Sequence, residues 1–210
     1  PKATPARQMR PKRVTPANKP LSREDFTDAG SLAGPASLIR KAGAMRKILV
    51  IGSPGAGKST FARKLAERTG LPLIHLDAEF HLPGWVDRET GEWLARVDRL
   101  LEGERWIIDG NYGGSLERRL ARADTAILLD YPTWLCLWRV VRRIATLHGR
   151  VRPDAAPGCP ERWDLPFLAY VARFRRAKSP TLERRLAAFP GALVRLRSPR
   201  EAEAFLDALA

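Results

Sequence analysis

The sequence is poor in the residues that build metal centres and disulfide frameworks. It contains only two cysteines, Cys136 and Cys159, and three histidines, and the cysteines show neither a CxxC motif nor another zinc-ligand spacing. A thiolate zinc site and a disulfide scaffold are therefore not predicted. Cysteines that need no partner fit a reducing compartment, so we expect a cytoplasmic protein.

Long apolar runs are missing as well. The richest apolar stretch, AILLDYPTWLCLW, is interrupted by Asp130 and Pro132, so no membrane-spanning helix is predicted. Acidic residues are scarce beside basic ones, because 23 Asp and Glu stand against 37 Lys and Arg and leave a net charge of +14. This excess is typical both of nucleic-acid-binding proteins and of enzymes that handle phosphate, so it does not decide between them.

Periodic apolar patterning is absent from residues 1–44. The segment is rich in proline, has a single aromatic residue, Phe26, and carries nine basic against three acidic residues. It has too little apolar surface to offset the chain entropy lost on folding, so we predict a disordered basic extension. It could serve as an arm for nucleic acid or be dispensable, and Met45 is a candidate natural start. Residues 45–210 are predicted to form one domain.

Short apolar runs alternate with amphipathic runs throughout 45–210. The strand patterns are KILVIG, PLIHLD, RWIID, TAILLDY and ALVRLR. The helical patterns are KSTFARKLAERTG, TGEWLARVDRLLEG, SLERRLARA, PTWLCLWRVVRRIATLHGR, the stretches near 165–178 and 180–188, and SPREAEAFLDALA. This alternation predicts an α/β fold, a three-layer sandwich in which helices flank a five-stranded parallel sheet. Trp134 and Trp138, four residues apart on one predicted helix, are expected in the core.

One motif carries a definite chemistry. The segment GSPGAGKS matches GxxxxGK[ST] at every fixed position, and it follows a strand and precedes a helix as the motif requires. Its glycines allow backbone N–H groups to turn onto phosphate oxygens, and the N terminus of the next helix adds a positive field. Lys58 is expected to reach the β and γ phosphates, and the Ser59 hydroxyl to bind Mg²⁺. This Walker A loop predicts ATP and Mg²⁺ as ligands and comprises Gly52, Ser53, Pro54, Gly55, Ala56, Gly57, Lys58, Ser59 and Thr60.

Two aspartates are candidates for the acidic partner that such a loop needs. Asp109 ends the strand pattern RWIID, and Asp130 ends the pattern AILLD. Either could help to hold the metal, and either could simply terminate a strand.

Arginines are concentrated after the fourth strand pattern. Arg139, Arg142 and Arg143 fall within an arc of about 100° on the predicted helix. Such a cluster fits a lid that binds phosphate, a solvated basic face or a nucleic-acid patch. A second pair, Arg173 and Arg176, could complete the lid, contact substrate or be exposed. Because Gly149 and the following loop allow movement, we predict a lid near 139–178.

The order P-loop, HLD, IIDG, LLDYP, an arginine-rich segment and LRSP resembles the adenylate kinase and shikimate kinase superfamily. The stretches LIHLD, PGW, DGNYGG and DYPTWLCLWRV are similar to the bacterial topology-modulation proteins, which look like small kinases, and the resemblance covers 45–210. It implies a nucleoside monophosphate kinase-like P-loop fold. It also implies that Asp109 is the metal-associated aspartate, and that Arg139 and Arg143 neutralise the phosphoryl group in flight.

The resemblance further places the acceptor beside HLD, where Asp77 would orient or deprotonate the acceptor hydroxyl. His75 lies on the same strand pattern and could instead be a packed core residue; His81 is expected to line the pocket. The predicted substrate-binding residues are His75, Asp77, Trp85, Asn111, Tyr112 and Arg176. Adenylate kinases follow DG with FPR, whose arginine grips the acceptor phosphate. That arginine is missing here, and Arg118 and Arg119 are the candidate replacements, so a hydroxylated metabolite or a nucleoside fits as well as a nucleotide.

These observations predict an ATP-dependent phosphotransferase that acts on a small hydroxyl- or phosphate-bearing acceptor, with Lys58, Asp77, Arg139 and Arg143 as catalytic residues. One alternative is a nucleotide-switched, DNA-binding and topology-modulating regulator, which would use the basic charge. Another is ATP hydrolysis without an acceptor. A monomer and a homodimer are both compatible with the sequence.

Overall fold

The computed structural model describes residues 45–209. The prediction of a disordered extension over 1–44 lies outside the described residues. The strands are β1 (Lys47–Gly52), β2 (Leu73–His75), β3 (His81–Leu82), β4 (Val86–Asp87), β5 (Trp106–Asp109), β6 (Thr125–Leu129) and β7 (Ala192–Leu196). The helices are α1 (Lys58–Thr69), α2 (Leu76–Phe80), α3 (Thr90–Leu100), α4 (Leu116–Leu120), α5 (Thr133–Leu147), α6 (Leu165–Ala177), α7 (Ser179–Ala187) and α8 (Pro199–Asp207).

The main sheet has five parallel strands in the order β2-β5-β1-β6-β7. Its central strand β1 is buried on both faces, which explains the unbroken apolar run that the sequence shows there. Ile48 and Val50 pack into one apolar cluster with residues of α1, α5 and α8, whereas Leu49 and Ile51 pack into a second cluster with residues of α3 and α4. The predicted three-layer α/β sandwich is confirmed.

Parallel strands bring their carboxyl ends to one edge of the sheet. The P-loop follows β1, and Asp109 ends the neighbouring strand β5, where it is in register with His75 at the end of β2. In open α/β sheets, ligands bind at the carboxyl ends of the strands, at the point where the strand order reverses. In this sheet that point is next to β1. The fold therefore assembles the P-loop and two polar strand ends at one place.

The prediction that PLIHLD is one strand was wrong beyond His75. Strand β5 ends at Asp109, and Gly110, with φ of 137°, turns the chain away, so the ladder with β2 stops there. The chain then forms the short helix α2, in which Asp77 lies in the first turn.

A two-stranded hairpin, β3–β4, was not predicted. It pairs Leu82 with Val86 across a turn in which Gly84 and Trp85 have positive φ.

The prediction that Trp134 and Trp138 belong to the core was also wrong, because they are 70% and 53% exposed. Helix α5 buries Cys136, Val140 and Ile144 instead. These residues recur every four positions, and positions two residues away lie about 200° around the helix, on the opposite side. No helix within 45–209 is long and apolar enough to cross a membrane.

Candidate active site

A cavity of about 1350 Å³ opens at the carboxyl edge of the sheet. Its wall contains the P-loop from Pro54 to Thr60, together with Asp77, Asp109 and Tyr112 from the strand ends. The segment 139–178, for which the sequence predicts a lid, contributes Arg139, Arg143, Arg152, Asp154 and Glu161. The volume exceeds the usual range for one drug-sized ligand, so it has room for a nucleotide and a second molecule.

The P-loop is shaped by glycines and by the helix behind it. Gly55 and Gly57 have φ of 81° and 89°, in the left-handed region, and α1 begins at Lys58. A Cβ at Gly55 would lie 2.2 Å from the carbonyl oxygen of Cys136, so α5 leaves no room for a side chain. The Lys58 ammonium donates to the Ser53 carbonyl at 3.2 Å and thereby folds over its own loop. This geometry leaves the N terminus of α1 facing the cavity, as anion binding requires.

The side chain of Asn111 forms hydrogen bonds with the backbone at the start of the P-loop. Its side-chain oxygen accepts from the Gly52 N–H at 3.1 Å, and its amide nitrogen donates to the Gly52 carbonyl at 2.7 Å. We expected Asn111 to bind substrate. It does line the cavity, but its amide is engaged with the backbone where β1 enters the loop.

Asp109 is buried, and only one of its two carboxylate oxygens has a polar partner among the described residues. One carboxylate oxygen lies 3.0 Å from His75 Nδ1, and the other is buried without a hydrogen-bond partner among the described residues. A buried carboxylate oxygen without a donor favours a cation. Asp109 and Ser59 both line the cavity, and they offer the oxygen ligands that Mg²⁺ prefers. His75 therefore contacts Asp109 rather than the cavity, whose wall does not include it.

The remaining ligands of such an ion would come from elsewhere. Within 45–209 no three His, Cys, Asp or Glu side chains converge on one point, so phosphate oxygens and water would complete the coordination. The competing residue Asp130 is paired with Arg195 at 3.0 Å and lies outside the wall of this cavity. The geometry favours Asp109 over Asp130.

Asp77 receives a hydrogen bond from a protein hydroxyl. The Tyr112 hydroxyl donates to its carboxylate at 2.7 Å. Burial, together with the charge of Asp77, raises the pKa of Tyr112 far above its ordinary value, so the hydroxyl remains a donor. The Tyr112 ring packs against Phe80 and Trp93 with centroid distances of 4.8 and 5.2 Å. The hydroxyl and the packed ring fix the orientation of Asp77, which lines the cavity.

The loop between α5 and α6, residues 148–164, lies within the predicted lid and is called the lid loop below. It places a buried carboxylate between two arginines. Glu161 is 4% exposed and forms ion pairs with Arg143, at 3.1 Å from its Nε, and with Arg152. Arg152 is also paired with Asp154, and its Nη2 lies 3.9 Å from Asp77. Burial, reinforced by the nearby charge of Arg152, lowers the pKa of Arg143. The sequence analysis missed Arg152, Asp154 and Glu161, because the loop RVRPDAAPGCPE has no periodicity that would orient its side chains.

Asp154 lies near the P-loop, and both line the cavity. Burial alone would raise its pKa, but the charge of Arg152 and the hydroxyl of Ser59 hold the pKa below its ordinary value of 3.8. The lid loop therefore approaches the serine that is a candidate metal ligand.

The arginines predicted on one helix face separate in the structure. Arg139 donates to the Ala56 carbonyl at 3.2 Å, so its guanidinium reaches the P-loop. Arg143 faces the lid loop, as described above. Arg142 is exposed, and its guanidinium lies 5.4 Å from the centre of the Trp138 ring. Arg176 is exposed on α6 and is not part of the cavity wall.

The two candidate replacements for the acceptor-phosphate arginine are committed to other contacts. Arg118 is paired with Asp98 at 2.6 Å. Arg119 is completely buried and donates to the carbonyl oxygens of the loop Gly110–Tyr112. Burial lowers the pKa of Arg119 to about 9, which leaves it charged at neutral pH. Neither arginine faces the cavity.

Trp85 joins the hairpin to the lid. Its indole N–H donates to the Pro160 carbonyl at 2.8 Å, and the Gly84 N–H donates to the Gly158 carbonyl at 2.9 Å. Trp85 also lines the cavity, where its ring meets that of His81 with a centroid distance of 5.1 Å.

The five-stranded parallel sheet and its P-loop confirm the predicted α/β fold, and at the level of the fold they are similar to P-loop kinases of known structure. Two solved structures share the fold. The shikimate kinase from Acinetobacter baumannii in complex with shikimate aligns with a TM-score of 0.51 and 17% identity over 81% of this chain and 92% of its own. The shikimate kinase from Bacteroides thetaiotaomicron aligns with a TM-score of 0.50 and 15% identity over 79% and 96%.

Similar sequences are also kinases. A cytidylate kinase from Aeropyrum pernix is 32% identical over 111 residues, which are 45% of this chain and 63% of that protein. A shikimate kinase from Ruegeria pomeroyi is 28% identical over 152 residues, which are 63% and 70% of the two chains. An adenylate kinase from Thermotoga neapolitana is 31% identical over 91 residues, 42% of this chain and 40% of its own. The match thus spans less than two thirds of the cytidylate and adenylate kinases, and no family model matches this chain.

Proposed function

We propose that this protein is an ATP-dependent kinase that transfers the γ-phosphoryl group to a hydroxyl group of a small acceptor. One observation carries the proposal: a single cavity joins the P-loop, the half-satisfied carboxylate of Asp109 and the oriented carboxylate of Asp77. The first two fit a nucleotide with its metal ion, and the third fits an acceptor hydroxyl. The kinases among its relatives support the same reaction class.

The P-loop would hold the nucleotide. Backbone N–H groups at the start of α1 and the Lys58 ammonium bind the phosphates, and Lys58 exchanges its bond to Ser53 for phosphate oxygens. Ser59 and Asp109 would hold Mg²⁺, which neutralises phosphate charge when bound. Pro199 and Ala202 line another part of the cavity wall, where the base would lie.

Asp77 would act on the acceptor. Its carboxylate accepts the proton of the attacking hydroxyl, and the Tyr112 hydroxyl fixes its orientation. Arg139, Arg143 and Arg152 line the same cavity and would stabilise the negative charge that moves between donor and acceptor oxygens. These roles require only proton transfer, positioning and charge stabilisation, which is how phosphoryl transfer is usually catalysed.

Acceptor-dependent formation of ADP tests the proposal. Purified protein is incubated with ATP, Mg²⁺ and panels of nucleosides, nucleotides and hydroxylated metabolites, and both ADP and the phosphorylated acceptor are measured. We expect stimulation by an acceptor and its loss in Lys58→Met. Lys47→Met, which changes a lysine outside the cavity wall, is the matched control and should retain activity. Normal turnover by Lys58→Met would contradict the proposal.

Two finer expectations belong with this proposal. The buried cysteines Cys136 and Cys159 are both free, which supports a reducing, cytoplasmic setting. The DNA-binding alternative depends on the basic segment 1–44, which lies outside the described residues. It stays a prediction, tested by a steep fall in DNA affinity with salt.

A further inference from the structure

We propose that the acceptor carries no phosphate or carboxylate group and is a neutral or cationic hydroxyl compound. This inference rests on the proposed function, because it concerns the molecule whose hydroxyl lies at Asp77. It follows from the charges around Asp77, where the one cation within 4 Å among the described residues is already paired with two other carboxylates.

Arg152 is the only cation within 4 Å of an Asp77 oxygen among residues 45–209. Its guanidinium is already paired with the buried carboxylates of Glu161 and Asp154. An anionic group on the acceptor would have to compete with these carboxylates for Arg152; a displaced Asp154 would lose its ion-pair partner, and a displaced Glu161 would keep only Arg143. Breaking a buried pair in this way is strongly unfavourable.

A second arginine of the cavity wall is also paired with a carboxylate. Arg143 is paired with the same Glu161, so the two arginines share the three carboxylates of Asp77, Asp154 and Glu161. Two positive and three negative groups give this cluster a formal charge of −1. The transferred phosphoryl group would compete for the same arginines. A second anion would therefore meet like charge in a partly desolvated site.

Other basic side chains of the cavity wall are placed elsewhere. Arg185 donates to the Gly113 carbonyl at 2.7 Å and is paired with Glu117 at 3.2 Å. Arg162 and Lys178 are exposed, and neither lies within 4 Å of Asp77. Arg118 and Arg119 are committed as described above, so in the described part of the chain no arginine other than Arg152 lies within 4 Å of an Asp77 oxygen.

The rest of the wall near Asp77 contains a group of aromatic rings. The His81 ring lies next to the rings of Trp85 and Tyr112, with centroid distances of 5.1 and 6.4 Å respectively. The indole N–H of Trp85 is occupied by Pro160, so the side chain presents its ring rather than a donor. Aromatic faces with a few polar groups suit the ring of a nucleoside or of a cyclic polyol.

Matched acceptors that differ in charge test the inference. The full chain is assayed with ATP and Mg²⁺ on adenosine and AMP, cytidine and CMP, and the methyl ester of shikimate and shikimate. In each pair of which the protein phosphorylates at least one member, we expect kcat/KM to be at least about tenfold higher for the uncharged member. Equal or better use of the anionic member would overturn the inference while leaving the kinase proposal intact. ATP hydrolysis without phosphorylation of any acceptor would overturn both.

A variant of Glu161 tests the cause. Glu161→Gln removes one negative charge and releases part of both arginines, so the ratio of anionic to uncharged acceptor use should rise by at least about fivefold. Glu104→Gln, at an exposed ion pair with Arg46, is the matched control and should leave the ratio unchanged. Because the ratio is measured within one variant, a smaller folded fraction does not alter it. An unchanged ratio in Glu161→Gln would show that the carboxylates do not set acceptor charge.

Discussion

At the scale of single residues, polar side chains around the P-loop bond to the backbone and so fix its shape. Asn111 satisfies both the N–H and the carbonyl of Gly52, and Arg119 binds the carbonyl oxygens of Gly110–Tyr112. The two side chains act in sequence, because Arg119 fixes the loop from which Asn111 reaches Gly52. A substitution at either position should therefore affect the P-loop without touching a ligand.

Replacing Asn111 by alanine should weaken nucleotide binding. The change removes two hydrogen bonds to Gly52, each contributing roughly 1 kcal/mol, so the Kd for ATP with Mg²⁺ should rise by about fivefold or more. Titration calorimetry measures this Kd. A change confined to the KM of the acceptor would instead restore the substrate-binding role that the sequence suggested.

Replacing Arg119 by methionine should lower the free energy of unfolding by about 2–4 kcal/mol, because buried carbonyl oxygens lose a charged donor. The neighbouring change Arg118→Met removes only an exposed ion pair and should cost less than about 1 kcal/mol. Urea denaturation of the two variants provides the comparison. Equal effects would contradict a special role for the buried guanidinium.

Asp154 should make stability depend on acid pH. Its pKa in the folded protein lies below 3.8, so ionisation stabilises the fold. That contribution is complete above the ordinary pKa and is lost as the pH falls through the lower, folded-state pKa. Wild type should be more stable than Asp154→Asn at neutral pH, and the difference should shrink below the ordinary pKa. A difference that is constant with pH in urea denaturation would refute this assignment.

At the scale of elements, the β3–β4 hairpin and the lid loop are joined by direct bonds. Gly84 and Trp85 donate to carbonyl oxygens of Gly158 and Pro160, and a Cβ at Gly158 would lie 2.9 Å from Pro83 Cβ. The hairpin follows α2, which carries Asp77, whereas the loop that it contacts carries Arg152. These bonds therefore connect the segment after Asp77 to the loop in which the sequence predicts a lid.

Trp85→Phe should loosen this connection. It keeps an aromatic ring but removes the bond to Pro160, so backbone amides near 158–161 should exchange hydrogen faster, and the KM of the acceptor should rise. Hydrogen exchange monitored by mass spectrometry measures the first effect. Trp163→Phe, at an exposed lid residue, is the control. Unchanged protection in Trp85→Phe would mean that the hydrogen bond does not hold this loop against the hairpin.

Periodicity predicts the long elements and fails for the short ones. Apolar runs predict the strand β1 and the helices α1 and α5, and Gly70 predicts the end of α1. The hairpin has two-residue strands, which have no periodicity of their own and are held by docking on the lid. The orientation of α5 was misjudged because a spacing of four places Trp134 and Trp138 on one face without saying which face is buried.

At the scale of the whole molecule, the order of the strands determines where the site forms. β1 lies between β5 and β6, so the P-loop after β1, Asp109 at the end of β5 and the start of α5 after β6 meet at one edge. The sequence could predict this gathering because each feature follows a strand pattern. It could not predict the ion pairs of Glu161, because they join segments whose relative position only the folded chain defines.

The proposed kinase activity depends most on the P-loop as a site for ATP with Mg²⁺. Titration of ATP and Mg²⁺ into the purified full chain, followed by calorimetry, tests this directly. We predict saturable binding of one nucleotide per chain, with affinity that falls sharply in Lys58→Met and little in Lys47→Met. The absence of saturable binding to the wild-type protein would contradict the account.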